Sequence, residues 1–108
     1  MVVNNFEQIK QQIDDNTIRT LLSYTDNLMG AKVHFKHRTE SVELHSHLEE
    51  QLTYVLKGKF KFFIEEEEYI LKAGDSLVFA SNVRHGCLVL EENSELLDVF
   101  NPMRQDFI

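Results

Sequence analysis

Three histidines and one glutamine have residue types and spacings that could hold a transition metal. His45 and His47 lie two residues apart, Gln51 follows four residues later, and His85 lies about 40 residues further on. On a β-strand, residues at i and i+2 project from the same face, so both imidazoles of the pair would point the same way. Neutral imidazoles are common ligands of transition metals, and Gln51 could add a carbonyl oxygen. Such an incomplete protein shell leaves positions open for water or substrate, as catalytic metal sites require.

Other polar features of the chain have simpler interpretations. His34 and His37 are interpreted as surface or hydrogen-bonded residues rather than ligands. The acidic run Glu65–Glu68 is typical of a solvated hairpin tip, where water screens like charges; a cation site is the alternative, but no other ligand converges on it. Cys87, two residues after His85, could face the same pocket, and inert packing is the favoured interpretation of this lone thiol.

Nine short segments rich in strand-forming residues predict the elements that must position the histidines. The segment that contains Gln51 is apolar in both alternation phases, which predicts a strand buried on both faces. Glycines in the sequences Lys57-Gly58-Lys59 and Lys72-Ala73-Gly74-Asp75 predict tight turns. Short strands separated by turns favour an all-β sandwich or barrel. The nine segments are Ile18–Tyr24, Met29–Lys36, Val42–His47, Gln51–Lys57, Phe60–Ile64, Tyr69–Leu71, Ser76–Ala80, His85–Leu90 and Leu96–Phe100.

The N-terminal segment has a different period. Phe6, Ile9 and Ile13 are spaced by three and four residues, which predicts a short amphipathic helix within Asn5–Asp15. We therefore expect one domain over residues 1–108, with a helical segment over about 1–16 and a β-barrel over about 17–108.

Composition limits the classes of partner and compartment. Eleven basic and eighteen acidic residues give the 108-residue chain a net charge of −7, and an acidic protein is repelled by nucleic-acid phosphates. No stretch approaches the roughly 18 apolar residues of a membrane span. One cysteine excludes an intramolecular disulfide. We therefore expect a cytoplasmic protein that binds neither nucleic acid nor membrane.

The spacing of histidines and glycines resembles that of the cupin family. The first cupin motif has a His-x-His pair, an acidic ligand and a glycine, and this chain has His45, His47, Gln51 and Gly58 at those spacings. The second motif begins with glycine and ends with a metal-binding histidine; here these are Gly74 and His85, with Ala80 and Asn82 where proline and glycine are common. The resemblance implies an all-β double-stranded β-helix, or jelly-roll barrel, with the metal inside.

The change of acidic ligand to Gln51 removes a negative charge from the implied metal site. The metal should then be more electrophilic and less tightly held. Glu49 and Glu50 are alternative oxygen ligands, although the spacing favours Gln51. The resemblance implies one divalent transition metal per chain, and nickel, zinc, iron and manganese all suit a shell of nitrogen and oxygen. A barrel without a working metal site is the other alternative.

The C-terminal segment narrows the resemblance to the small single-domain cupins of pectin degradation. It carries the pattern D-x-F-x-P-x-R-x-D-F from Asp98 to Phe107, together with the sequences His45-Ser46-His47 and Ser81–His85. This resemblance implies ring opening of 4,5-unsaturated uronates, the monosaccharides that polyuronate lyases release, to the linear ketone. It also implies that Asp98, Phe100 and Arg104 lie beside the metal ligands.

These three residue types suit that chemistry. Asp98 could carry a proton near the metal, Phe100 could pack on the apolar face of the sugar, and Arg104 could bind the uronate carboxylate with its planar fork. The alternatives are that Phe100 is simple core, and that Asp98 is either a buried hydrogen-bonded carboxylate or the partner of Arg104 in a structural ion pair.

Three functions remain open at this point. The first is a metal-dependent uronate ring-opening isomerase, the second is another cupin enzyme such as a dioxygenase or lyase, and the third is a non-enzymatic sugar-binding or ligand-binding module. Asp98 and Arg104 together favour the first. The resemblance also implies a homodimer.

Overall fold

The computed structural model describes all 108 residues, and its regular secondary structure is almost wholly antiparallel strand. Single 3-10 turns, Asn5–Glu7 and Gln105–Phe107, lie near the two ends of the chain. None of its helical turns has the length and apolar character needed to cross a membrane. The strands are β1 (Ile9–Gln12), β2 (Thr17–Thr25), β3 (Leu28–Phe35), β4 (Glu50–Lys57), β5 (Lys59–Ile64), β6 (Glu67–Lys72), β7 (Ser76–Phe79), β8 (His85–Val89) and β9 (Ser94–Asn101).

The strands form two sheets that enclose the apolar core. The larger sheet has the order β1-β2-β3-β9-β4-β7, and the smaller one has the order β6-β5-β8. The main apolar cluster contains residues from both sheets, so it joins them face to face. The jelly-roll architecture implied by the sequence is therefore confirmed. The buried members of this cluster are Val55, Phe60, Phe62, Phe79, Val89 and Leu96.

A second apolar cluster lies under the other half of the larger sheet. It consists of Leu21, Met29, Ala31, Phe100 and Phe107. Phe107 belongs to the C-terminal turn, and its ring meets that of Phe100 edge to face at a centroid distance of 5.5 Å. The end of the chain is thus anchored on the sheet, beside the last residues of β9.

The predicted N-terminal helix is wrong. Asn5–Glu7 forms only one 3-10 turn, and Ile9–Gln12 pairs with β2 as the edge strand of the larger sheet. Three apolar residues are too few to distinguish a helix from a strand. The strand forms because β2 pairs with the backbone N–H and C=O groups of this segment. Phe6, Ile9 and Ile13 are each about half exposed or more, so they do not form the buried helical face that their spacing predicted.

The segment Val42–His47, predicted as a strand, makes only one isolated β-bridge, between His45 and His85. Gly86 explains how closely this segment approaches β8. A Cβ at position 86 would lie 2.8 Å from Val42 Cγ2 and 3.1 Å from the Glu43 carbonyl oxygen. The segment therefore crosses β8 at the one residue without a side chain, which brings His45 beside His85.

The prediction that Gln51–Lys57 is buried on both faces is also wrong. Burial in β4 alternates strictly: Gln51, Thr53 and Val55 are buried, whereas the residues between them are exposed. The apolar residues of the second phase, Leu52 and Tyr54, lie on the outer face of the larger sheet and are 42% and 38% exposed. The prediction failed because apolar residues in both alternation phases are also typical of a strand that is buried on both faces.

The predicted turns are confirmed. Gly58 and Gly74 have φ values of 84° and 96°, which glycine adopts without strain. The acidic run forms the exposed tip of the β5–β6 hairpin, where Lys61 pairs with Glu68 at 2.7 Å.

We expect Gly58→Ala to lower the free energy of unfolding more than Gly74→Ala does. Both substitutions place an L-residue in the left-handed region, at a cost of roughly 1–2 kcal/mol. A Cβ at position 58 would also overlap the buried Ser94 side chain, whereas nothing lies within 4 Å of a Cβ at position 74. Such overpacking adds about 1–3 kcal/mol. Urea unfolding of both variants measures the difference, and equal losses would contradict this close contact.

Candidate metal centre and active site

Backbone pairing brings two of the three candidate histidines together. The amide nitrogens of His45 and His85 each donate to the other residue's carbonyl oxygen, at 3.0 and 2.8 Å. Their rings lie 4.6 Å apart between centroids, and the His47 ring lies 4.9 Å from that of His85. One ring nitrogen from each histidine lies within 4.8 Å of the others. The three predicted imidazoles therefore converge and could hold a metal ion.

Backbone acceptors orient the rings of this His45–His47–His85 cluster. The Nδ1 of His47 lies 2.9 Å from the Glu49 carbonyl oxygen, and the Nδ1 of His85 lies 2.8 Å from the Val83 carbonyl oxygen. A carbonyl oxygen can only accept, so both Nδ1 atoms carry a proton, and a neutral ring held in this way presents its lone pair at Nε2. Such bonds hold metal-binding imidazoles in the correct tautomer.

His85 supplies the test of whether this cluster suits a metal. Its Nε2 is buried and has no hydrogen-bond partner, although such atoms are rarely left unpaired. Burial lowers the pKa of His85 to about 4, and it also lowers that of His45. Both rings are therefore neutral near pH 7 and can donate lone pairs. An unpartnered imidazole lone pair beside two further imidazoles fits a transition metal.

Gln51 lies in this cluster, and a chain of hydrogen bonds sets its orientation. Its Nε2 donates to Thr53 Oγ1 at 2.8 Å, and Thr53 donates to Asp98 Oδ1 at 2.7 Å. The amide oxygen of Gln51 is thereby turned toward His47 Nε2, 3.0 Å away. The lone pair of the Gln51 oxygen and that of His47 Nε2 then face each other across 3.0 Å. Either a cation shared by the two atoms or a proton on His47 removes their repulsion.

The alternative oxygen ligands lie elsewhere. Glu50 is exposed, and the carboxylate of Glu49 lies 3.7 Å from His47 Nδ1, on the side of the ring opposite Nε2. It also lies 3.8 Å from Arg104 Nε. Of the three oxygen donors that the sequence leaves open, Gln51 alone faces the convergent nitrogens.

A cavity of about 200 Å³ opens beside the histidines. Its polar lining comes from both predicted groups of site residues, since His45, His85 and Gln51 line it together with Asp98 and Arg104. Phe79 forms its apolar floor and stacks on the His85 ring at a centroid distance of 4.2 Å. The cavity thus lies where the two apolar clusters meet.

Asp98 lies on the inner face of β9 and is 7% exposed. Burial raises the pKa of its carboxyl to about 6, against the opposing effect of the Thr53 hydrogen bond. Burial also raises the pKa of the Cys87 thiol, to about 12. Cys87 lines the same cavity, but a thiol with this pKa is a poor nucleophile near pH 7, which agrees with the inert interpretation.

The structure places Phe100 and Arg104 at one side of the cavity. Phe100 is 2% exposed and belongs to the second apolar cluster, yet its ring lies 5.9 Å from that of His47. The guanidinium of Arg104 donates from Nε and Nη2 to Asp106, at 3.1 and 2.9 Å. The ionic partner of Arg104 is thus Asp106, with Glu49 further away, rather than Asp98 as the structural alternative supposed.

The departures from the second cupin motif are accommodated locally. Asn82 stands where the motif has glycine, and its φ of 65° is left-handed; asparagine tolerates this region better than most residues. The Asn82 amide donates to the His47 carbonyl oxygen at 2.8 Å. A backbone hydrogen bond therefore joins the turn before His85 to His47, a residue of the first motif.

Sequence reasoning missed three residues of the site. Thr53 joins Gln51 to Asp98, and Gly86 allows the approach of His45. Arg19 lines the cavity from β2. Only Arg19 had a signal in the sequence, which is a charged residue within a strand. Its neighbours on the same face of β2, Thr17 and Leu21, are buried.

Comparison with known proteins gives consistent relatives. The family model described as "Cupin domain" matches residues 31–100. The pectin degradation protein KdgF of Dickeya dadantii (strain 3937) is 36% identical over 98 residues, which cover 91% of this chain and 89% of that protein. The structure of KdgF from Halomonas sp. matches with a TM-score of 0.90 and 30% identity, covering 100% of this chain and 98% of that one.

A solved RmlC-like cupin from Shewanella frigidimarina NCIMB 400 matches with a TM-score of 0.89 and 28% identity. It covers 99% of this chain and 95% of that chain. The chain is therefore a member of the cupin family and a relative of KdgF.

Proposed function

We propose that this protein is a metal-dependent enzyme that opens 4,5-unsaturated uronates from polyuronate breakdown to their linear keto form. One observation carries the proposal: three imidazoles converge, and two of them, His45 and His85, share a cavity with a buried carboxyl, Asp98, and with the cation Arg104. The similarity to KdgF, a pectin degradation protein, supports pectin or a related polyuronate as the source of the substrate.

The reaction is an isomerisation, so no atom is gained or lost. The bond between C1 and the ring oxygen breaks, the C1 hydroxyl loses its proton, and C1 becomes an aldehyde. The former ring oxygen becomes the enolate oxygen at C5, and the enolate becomes a ketone when C4 takes up a proton. The enzyme must therefore hold the sugar, accept one proton and deliver another.

His45, His47 and His85 would hold the metal, with Gln51 as the oxygen ligand. A divalent transition metal bound there would supply Lewis acidity toward substrate oxygens. The neutral Gln51 leaves more of the positive charge uncompensated than a glutamate would. We expect one metal per chain, of the nickel, zinc, iron or manganese type.

Asp98 is the proposed proton carrier. Thr53 occupies its Oδ1, so the proton is accepted and released at Oδ2. The side chain is buried at the cavity wall and has little contact with bulk water. A positioned carboxyl of this kind typically accelerates a proton transfer by about 10²–10⁴-fold.

Phe100 and Arg104 are proposed to position the sugar. The Phe100 ring provides an apolar wall beside His47, and Arg104 provides positive charge for the uronate carboxylate through the nitrogen that Asp106 leaves free. The cavity of about 200 Å³ is smaller than the roughly 300–1,000 Å³ typical of drug-sized ligands. This size favours a monosaccharide over a polymer chain.

The homodimer and the cytoplasmic location both stay predictions. The outer face of the larger sheet exposes apolar side chains such as Leu52 and Val78, and sedimentation of the purified protein would give its oligomeric state.

Purified protein should carry up to one divalent transition metal per chain. His47→Ala should lower the metal content with the fold retained, because the core consists of apolar strand residues. The triple variant with His45, His47 and His85 all changed to alanine should carry none. His37→Ala is the matched control, since that side chain is 72% exposed. Elemental analysis that finds equal metal in wild type and the triple variant would refute the metal site.

Gln51→Glu should bind the metal more tightly, because a carboxylate adds a charge to the ligand shell. Gln51→Ala should bind it less tightly, and Glu50→Gln, at the exposed neighbouring position, should leave the affinity unchanged. Competition with a chelator measures all three affinities. If both Gln51 variants match wild type, the oxygen ligand is Glu49, Glu50 or water.

Metal-loaded wild type should accelerate the decay of the ultraviolet absorbance of unsaturated uronate above the spontaneous rate. Asp98→Asn should reduce turnover by about 10²–10⁴-fold with little change in substrate binding, because it keeps the shape but not the exchangeable proton. Asp15→Asn makes the same chemical change at an exposed position and is the control.

Two outcomes of this assay separate the parts of the proposal. No acceleration on galacturonate-, mannuronate- or guluronate-derived substrates would eliminate the isomerase and leave a binding module; oxygen consumption would instead identify a dioxygenase. Equal turnover by Asp98→Asn and wild type would keep the enzyme and eliminate Asp98 as its proton carrier.

A further inference from the structure

Arg19 is a half-buried cation at the wall of the barrel that forms no close ion pair, since the carboxylates of Asp106 and Asp98 act on it only from a distance. It lies on the inner face of β2 and lines the same cavity as the histidines. Its side-chain hydrogen bond runs from Nε to Gln11 Oε1 at 2.8 Å, and no carboxylate oxygen lies within 4.0 Å of its nitrogens. The terminal nitrogens of this guanidinium are therefore available to a ligand.

The charge of Arg19 is costly where it lies. Burial lowers the pKa of its guanidinium, and the nearby cation Arg104 lowers it further. Buried charges in proteins are usually paired, and Arg104 is paired with Asp106. Two arginines thus face one small cavity, and only Arg104 has a carboxylate in direct contact with its guanidinium.

Aromatic packing and a hydrogen bond hold Arg19 in this position. Its guanidinium carbon lies 3.5 Å from the centroid of the Phe107 ring, and that of Arg104 lies 4.4 Å from the same centroid. Gln11, which accepts from Arg19, also donates to the Phe107 carbonyl oxygen at 2.7 Å. The planar fork of Arg19 is therefore preorganised, which reduces the entropy lost on binding an anion.

We propose that Arg19 is the principal binding residue for the carboxylate of the sugar acid, with Arg104 as the second cation of the same subsite. This assignment rests on the proposed function and deepens it, because the function requires a carboxylate-bearing sugar but does not say which residue recognises it. Arg19 has the free nitrogens, whereas two nitrogens of Arg104 are already engaged by Asp106. A carboxylate on Arg19 would supply the missing counter-charge.

The test compares binding of glucuronate and of glucose, which differ in the carboxylate, to the metal-loaded protein by NMR titration. Wild type should bind glucuronate more tightly. Arg19→Met keeps apolar packing against Phe107 but removes the charge, and should weaken glucuronate binding by about 10- to 100-fold, as expected for a lost charge-assisted contact. Glucose binding should not change. If Arg19 had only a structural role, the substitution would weaken the binding of both sugars.

Two further variants sharpen the result. Arg19→Lys keeps the charge without the fork and should restore part of the preference for glucuronate. Lys10→Met removes one positive charge at an exposed position of β1 and should leave the preference intact, which excludes a general effect of net charge.

The inference is overturned if wild type shows no preference for glucuronate, or if Arg19→Met retains it. In turnover, Arg19→Met should raise KM far more than it lowers kcat. If wild type shows an Arg19-dependent preference but does not accelerate ring opening, the carboxylate subsite stands and the proposed function falls.

Discussion

The candidate site depends on backbone carbonyl groups that hold the imidazoles of His47 and His85. Each carbonyl oxygen accepts a hydrogen bond from Nδ1, so each ring presents Nε2 to the interior. The acceptors at Glu49 and Val83 are backbone oxygens, so the path of the chain positions them and no particular side chain is required. The cost of this arrangement is visible at His85, whose buried Nε2 has no partner within the protein. A buried lone pair without a partner is suited to a ligand that the chain does not supply.

The surrounding packing serves the same arrangement. Phe79 stacks on His85 and belongs to the cluster between the sheets, whereas Phe100 lies beside His47 and belongs to the cluster under β2 and β3. The histidines are therefore supported from both apolar clusters. Asp98, the deepest carboxyl, is connected to Gln51 through Thr53. The proposed proton carrier and the proposed oxygen ligand are thus coupled by two hydrogen bonds.

Much of this could be predicted from the sequence because the relevant signals are local. The glycines at positions 58 and 74 predicted the two tight turns, and both have positive φ. The spacing of the histidines predicted that their rings converge. Where the sequence failed, the deciding contact was between distant residues. The edge strand Ile9–Gln12 exists through its pairing with β2.

Distant contacts also decide the parts of the site that were missed. Nothing near Gly86 in the sequence indicates that residues 42–44 cross it. Arg19 lies more than 80 residues from Arg104 and Phe107, so their common position beside one cavity follows only from the order of the strands. The predicted burial of Leu52 and Tyr54 was wrong for another reason. Apolar composition alone does not distinguish an exposed sheet face from a buried one.

The most direct test of this account is X-ray absorption spectroscopy of the zinc-loaded protein, which counts the imidazoles bound to the metal. The convergence of His45, His47 and His85 predicts three imidazole nitrogens and at least one oxygen, at about 2.0–2.2 Å from zinc. The triple alanine variant should show no imidazole-bound zinc. A wild-type spectrum with one imidazole or none would contradict the metal centre and, with it, the proposed chemistry.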